Sequence, residues 1–155
     1  MMTDADLSTP IDDLEILEPH LAQASVVLGS RAVATSRITH RQPRYRELMG
    51  KTFNKFLWLM GVWGFYDTQC GFKLLDGEVA RTLFRRMVTE GFAFDVELVW
   101  LARRLGFAVA EVGVHWHHVP ESRVDALRHP PRMIAEVLRF RWLHRGLPRV
   151  RGGTP

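Results

Sequence analysis

Helical and strand periods alternate along this chain, and the alternation limits the folds open to it more than any other feature. STPIDDLEILEPHLAQ starts as a helix: Ser8 or Thr9 can cap, Pro10 sits in the first turn, and Asp12 and Asp13 lie near the positive end of the dipole. SVVLGSR (residues 25–31) is a short buried-type strand ending at Gly29. RAVATSRITHRQPRYR is basic and has no clear period, so a mobile loop running into a helix is expected. That helix is predicted from Tyr45 to about Met60. Leu48, Met49, Phe53, Phe56 and Met60 fall on one face, and Arg44, Glu47, Lys51 and Lys55 on the other. GFYDTQCGFKLL reads as a turn and a strand. Helices follow at about Gly77 to Val88 and Asp95 to Leu105, with Gly106 as C-cap. FAVAEVGVHWHHV reads as one strand and PPRMIAEVLRFRWLHRG as a final amphipathic helix. The order predicts an α/β layered domain. Three clear strands are fewer than the usual sheet of about five or six. Strands on the N-terminal side are therefore expected to be absent.

Composition narrows the class. The chain has 155 residues with 46% hydrophobic and 25% charged, a globular mixture of single-domain length. Lys and Arg number 21 against 17 Asp and Glu, a net charge of +4, which favours an anionic partner. Nucleic acid, phosphorylated substrates and anionic lipid all satisfy that charge. Against nucleic acid, there is no helix-turn-helix, RNP-like strand or zinc-finger spacing. The single cysteine, Cys70, allows no intrachain disulfide and fits the cytosol. The acidic N-terminus does not read as a signal peptide. The longest apolar run, Phe56 to Tyr66, is shorter than the roughly 20 residues that span a bilayer. Any membrane contact is expected to be peripheral.

Several constellations carry chemistry. Asp4 and Asp6 form an Asp-x-Asp whose hard oxygens suit Mg²⁺ or Mn²⁺ bridging a diphosphate; taken alone, such a pair before a helix is more commonly a cap. Arg31, Arg37, Arg41, Arg44 and Arg46 suit phosphate recognition through bidentate guanidinium forks, or else form a solvated face. DTQCGFK sets Asp67, Gln69 and Lys73 around Gly71, which permits close backbone approach. Cys70 lacks a Cys–His pattern and reads as a packed thiol. Asp95 suits a helix cap. Glu97 is either catalytic or a brace for an arginine. HWHHV puts His115 and His117 on one strand face and His118 on the other. A structural zinc site lacks its further ligands; His117 as an added ligand of the Asp-x-Asp metal is the stronger alternative.

The last helix carries Met133, Ile134, Val137, Leu138 and Trp142 on an apolar side, with Arg132, Arg139, Arg141 and Arg145 adding charge. That pattern suits a bilayer interface, and equally a helix packed on a sheet.

TDADLSTP, VVLGSR, RELMGKTFN, DTQCGFKLL, FAFDVELVWLARRLG and AEVGVHWHHVPESRV occur in this order. Together they resemble the C-terminal part of a family-2 glycosyltransferase, of the dolichyl-phosphate β-glucosyltransferase type, a sister of the polyprenyl-phosphate mannosyltransferases. The resemblance covers about Thr3 to Val124. It implies an α/β, Rossmann-like GT-A fold, here incomplete and lacking its N-terminal nucleotide-binding strands. Residues 1–128 would belong to the catalytic domain, 129–146 to a basic amphipathic helix and 147–155 to a flexible tail.

The resemblance implies inverting transfer of a sugar from a nucleotide-sugar to a polyprenyl or dolichyl phosphate at the cytoplasmic membrane face. UDP-glucose is favoured as donor, with GDP-mannose as the alternative. Asp4 and Asp6 would meet the Mg²⁺ or Mn²⁺ and the donor diphosphate, with Ser8 nearby and Ser122 and Arg123 on a closing loop. Arg31 and Arg46 would hold the acceptor phosphate; Gly50 stands where a related branch has Ser. Asp67, Gln69 and Lys73 would line the sugar and phosphate pocket, with Glu97 as a further catalytic candidate. The acceptor phosphate is already largely anionic at neutral pH, with a second pKa of about 6. Asp67 is therefore expected to orient sugar hydroxyls rather than to act as an obligatory base. Asp4 and Asp6 would sit on a frayed terminus, the nucleotide-binding half would come from another chain if at all, and activity alone would be low. The alternative is a non-catalytic membrane- or partner-binding remnant.

Overall fold

The computed structural model describes residues 1–40, 43–117 and 129–150. Its centre is β1, Val26–Ser30, in which every residue is buried. Val26 and Leu28 face the larger apolar core and Val27 the smaller one, as the two-residue period of a strand requires. β1 pairs antiparallel with β3, Lys73–Leu75, and parallel with β4, Val109–Gly113, giving the order β3-β1-β4. The larger core gathers β1, α3 (Gly77–Phe84), α4 (Phe94–Arg104) and α5 (His129–Leu143).

Two predicted segments differ. The basic loop contains a strand, β2 (Arg37–His40), and the long HWHHV strand is two strands, β4 and β5 (His115–His117). β2 and β5 pair parallel in a second sheet. The break falls at Gly113 and Val114. The Val114 amide donates to the Ser30 carbonyl at 3.2 Å and its carbonyl accepts from Arg37 at 3.0 Å. A Cβ at Gly113 would lie 2.5 Å from the Ser36 nitrogen, so glycine lets the 35–36 turn cross there. An alternating pattern cannot show where one strand leaves its sheet.

The first helix is also less regular than predicted. It is a 3₁₀ turn (Ile11–Asp13), a single α turn, α1 (Leu14–Leu17), and another 3₁₀ segment (Glu18–Ala22). No side chain caps it. Asp13 instead accepts from the His115 amide at 2.6 Å and pairs with His115 Nδ1 at 2.8 Å. α2 (Arg44–Leu59) and the C-cap at Gly106, with φ +84°, are as expected.

α4 has eight consecutive buried residues, Asp95–Ala102, so it is a core helix buried on all sides. Asp95 does not cap it. α5 packs on α4 through Trp100 and Phe140, whose ring centroids are 5.7 Å apart. Its buried side is Met133, Val137, Phe140 and the following His144, while Leu138 and Trp142 are exposed, against the expected apolar face. Residues 147–150, expected as tail, are held on α4: Arg104 donates to the Leu147 carbonyl at 2.7 Å and the Val150 amide to the Arg104 carbonyl at 3.1 Å. Among the described residues no helix is long and apolar enough to cross a membrane.

Candidate functional site

The C-terminal end of β1 places Arg31 opposite the turn that precedes β3. The Asp67 carboxylate in that turn takes the guanidinium with both oxygens: Nε to Oδ2 at 2.6 Å and the terminal nitrogen to Oδ1 at 2.8 Å. The Arg31 amide adds a third bond to Oδ2 at 3.0 Å. Burial pushes the Asp67 carboxyl up, but Arg31 outweighs it and holds it below the carboxylate range. Burial likewise lowers Arg31, and Asp67 more than restores it. Asp67 is thus an anion committed to Arg31, with little capacity to take a proton. The guanidinium also lies 5.5 Å from the Trp116 ring centroid.

Arg31 and Asp67 line a cavity of about 320 Å³ between the end of β1 and α2, the lower end of the range for small-ligand sites. Gln69, Trp116 and, from α2, Glu47, Gly50, Lys51 and Asn54 complete much of its wall. Arg46 sits on α2 one turn before Gly50; its side chain lies outside the described residues. Sequence reasoning missed Trp116 and Asn54. HWHHV drew notice for its histidines, and Asn54 looks like an ordinary polar helix position.

Lys73 is fully buried behind this wall. Its ammonium donates to the Cys70 carbonyl and meets Asp95 Oδ1 at 2.5 Å. Burial pushes the Asp95 carboxyl up, and Lys73 offsets this only in part. Cys70 is buried, with its thiol pushed up by burial and by Asp67, as a packed thiol should be.

The Asp-x-Asp loop is not a frayed end. Met2 and Lys73 exchange backbone hydrogen bonds at 2.8 and 3.0 Å, so the first residues extend the sheet beside β3. Asp6 Oδ1 accepts from the Ser8 amide at 3.0 Å, and the Ser8 carbonyl accepts from the His117 amide at 3.0 Å. Asp4 lies against Gly71, where a Cβ would come within 2.0 Å of its carboxyl carbon. Asp4, Ser8, Arg31, Gly71 and Trp116 line a second space of about 10 Å³, about enough for one water molecule. Asp4 also adds to the field that raises Arg31. The loop and the Arg31–Asp67 pair are therefore neighbours across this space.

Other predicted residues lie elsewhere. Glu97 is fully buried and braces two backbone amides and a histidine rather than an arginine. It accepts from the Val88 and Thr89 amides at 2.9 and 2.8 Å and meets His144 Nε2 at 2.6 Å. His115 is engaged by Asp13. Among the described residues no three His, Cys, Asp or Glu converge on a metal position, so His117 does not join Asp4 and Asp6. Ser122, Arg123, Arg41 and His118 lie outside the described residues.

No family model matches the chain. Individual proteins do. The dolichyl-phosphate β-glucosyltransferase of Mus musculus is 36% identical over 131 residues, covering 80% of this chain and 40% of its own length. The Homo sapiens protein of the same name is 34% identical with the same coverage. That of Dictyostelium discoideum is 32% identical over 148 residues, covering 92% of this chain and 45% of its own. The chain spans under half the length of these relatives. By sequence the chain is similar over most of its length to the dolichyl-phosphate β-glucosyltransferases, and it matches less than half of each.

Proposed function

We propose that this chain forms the acceptor-side part of a GT-A, family-2 glycosyltransferase that moves glucose from a nucleotide-sugar to a polyprenyl phosphate with inversion. One observation carries the reading: an arginine fork, fixed by a buried aspartate, sits on the wall of a cavity within the segment matched by the glucosyltransferases. In the reaction an acceptor phosphate oxygen forms a bond to the anomeric carbon as the bond to the donor diphosphate breaks, and the nucleotide diphosphate leaves. The acceptor, largely ionised at neutral pH with a second pKa of about 6, needs cations for positioning more than a base. Arg31 supplies the fixed cation, with Lys51 nearby and Arg46 as a second candidate from α2. Gln69 and Asp67 present an amide and an anion to the same cavity for sugar hydroxyls.

Asp4 and Asp6 fit a divalent cation of the Mg²⁺ or Mn²⁺ kind. Their oxygens are hard donors, one or two carboxylates plus substrate phosphates are an ordinary Mg²⁺ set, and the bare Gly71 backbone leaves Asp4 its place. Such an ion supplies charge stabilisation to the leaving diphosphate. We assign contacts to the nucleotide base to protein outside the described residues, in this enzyme or a partner chain.

The reading includes peripheral seating at the cytoplasmic membrane face. Leu59 is 80% exposed and Trp63 50%, and Tyr66, 58% exposed, lines the cavity that would take the lipid's phosphate. A second reading, a non-catalytic membrane-binding remnant, draws on α5, whose exposed Trp142 lies under Arg145 at 4.5 Å.

The test is calorimetry with farnesyl phosphate, UDP-glucose and GDP-mannose, each with Mg²⁺ or Mn²⁺. Saturable farnesyl phosphate binding lost in Arg31→Ala supports the acceptor site, and metal-dependent UDP-glucose binding lost in Asp4→Ala supports the donor loop. Vesicle binding with neither response would replace this reading by the remnant.

A further inference from the structure

Tyr66 and Asp67 stand in a turn, and turns ordinarily hold their side chains less firmly than strands do. This one is gripped from both sides. From α2, Asn54 Nδ2 donates to the Phe65 and Tyr66 carbonyls at 3.1 and 2.8 Å, and Trp58 Nε1 to the Phe65 carbonyl at 2.8 Å. From β4, the Glu111 carboxylate accepts the amides that point the other way. Its Oε1 lies 2.7 Å from the Asp67 nitrogen and its Oε2 2.9 Å from the Tyr66 nitrogen. Glu111 stands opposite Leu28 in the β1–β4 register, on a paired strand.

We infer that Glu111 is a positioning residue for the proposed glucosyl transfer: it fixes the 66–67 turn to the central sheet, and through Asp67 fixes the Arg31 fork. The inference rests on the acceptor role proposed for Arg31. It follows from a continuous set of bonds: Glu111 to the Tyr66 and Asp67 amides, the Asp67 carboxylate to Arg31. A carboxylate suits the position because two N–H groups converge on it, one for each oxygen, in charge-assisted bonds. Glutamine offers one oxygen only. A second anion beside Asp67 would weaken an isolated acid, but the amides satisfy Glu111 and Arg31 satisfies Asp67. Arg31 then meets a ligand with its geometry already set, which limits the entropy lost on binding.

The test compares wild type with Glu111→Gln and Glu111→Ala in two measurements. In amide hydrogen exchange, loss of both acceptors should speed Tyr66 and Asp67 by roughly tenfold or more in Glu111→Ala, and less in Glu111→Gln, with Val26–Leu28 unchanged. In calorimetry, farnesyl phosphate should bind roughly tenfold more weakly to Glu111→Ala, with Glu111→Gln between. If Glu111→Ala does not fold, Glu111→Gln carries both measurements. Unchanged exchange at 66 and 67 overturns the inference, and so does acceleration spread evenly over the sheet. Faster local exchange with unchanged affinity overturns the link to Arg31. Wild-type protein that fails to bind farnesyl phosphate overturns the acceptor role itself, while the exchange result still decides whether Glu111 mounts the turn.

Discussion

Arg31 and Asp67 are 36 residues apart in sequence and meet through three hydrogen bonds, two from the guanidinium and one from the Arg31 amide. The amide bond ties the backbone at the end of β1 to the turn before β3, so the pair is a structural clasp as well as a cationic site. Arg31→Lys keeps the charge and loses the fork. Stability should fall by about 1.5–3 kcal/mol, the worth of a hydrogen bond to a charged group. Farnesyl phosphate affinity should fall as well. Urea denaturation and calorimetry check the two effects; equal affinity in the variant would remove the fork from recognition.

Asp67 and Asp95, both buried, should respond to acid in opposite senses. Asp67 has a folded pKa below its unfolded value of about 3.9. Its contribution is complete above that value and is lost as pH falls through the folded pKa. Asp95 has a folded pKa above its unfolded value, so the native state gains relative stability as pH falls from the folded pKa toward about 3.9. Urea denaturation from about pH 7 to about pH 3 should show this. The advantage of wild type over Asp67→Asn narrows only at the acid end, and its stability relative to Asp95→Asn rises earlier, on the way down.

Lys73 and Asp95 form a buried ion pair beneath the site. Removing one partner strands the other, at a cost of about 3–5 kcal/mol, whereas apolar replacement of both is often neutral. Lys73→Met should therefore be strongly destabilising, and Lys73→Met with Asp95→Leu should recover most of the loss. A double-mutant cycle by denaturation measures the coupling. Additive losses would mean that the two charges act independently.

What could be read from the sequence was what depends on local pattern. β1 is apolar enough to declare itself, α2 shows a helical period, and Gly106 marks the end of α4. The Arg31 and Asp67 positions were legible through the motif order. Their pairing was not, because nothing in VVLGSR or DTQCGFK says that a sheet will bring them together. Asp95 looked like a cap because caps are acidic and begin helices; only the tertiary approach of Lys73 shows its other use. Asp13 does stand in a first helical turn, as read, but its bond to His115, 102 residues away, could not be seen. Asp4 looked frayed because a terminus usually is, and its loop is anchored by distant partners, Lys73 at Met2 and His117 at Ser8.

The exposed apolar residues at and just beyond the end of α2 lead to a prediction about membranes. Leu59 and Trp63 are exposed, and Arg103 lies 4.3 Å from the Trp63 ring, a cation beside an amphipathic anchor. Burying one such side chain contributes about 1.5–3 kcal/mol, so Leu59→Ser with Trp63→Ser should lower binding to anionic vesicles by tenfold or more. Sedimentation with vesicles checks it. If Trp142→Ser has the larger effect instead, α5 is the membrane-facing element.

Gly71 offers the sharpest test of the Asp-x-Asp loop. A Cβ there would lie 2.0 Å from the Asp4 carboxyl carbon. Asp4 is exposed and near the chain start, so its side chain can swing aside. Gly71 is itself buried, but the atoms its Cβ would meet end an exposed side chain, so Gly71→Ala should cost no more than about 1 kcal/mol. It should nevertheless move the carboxylate away from Arg31 and out of the small space it shares with Ser8 and Trp116. Metal-dependent UDP-glucose binding is expected to fall in Gly71→Ala as it does in Asp4→Ala, with farnesyl phosphate binding far less affected. Calorimetry with each ligand separates the two. Loss of both affinities together would mean that the donor loop and the acceptor clasp are a single unit rather than neighbours.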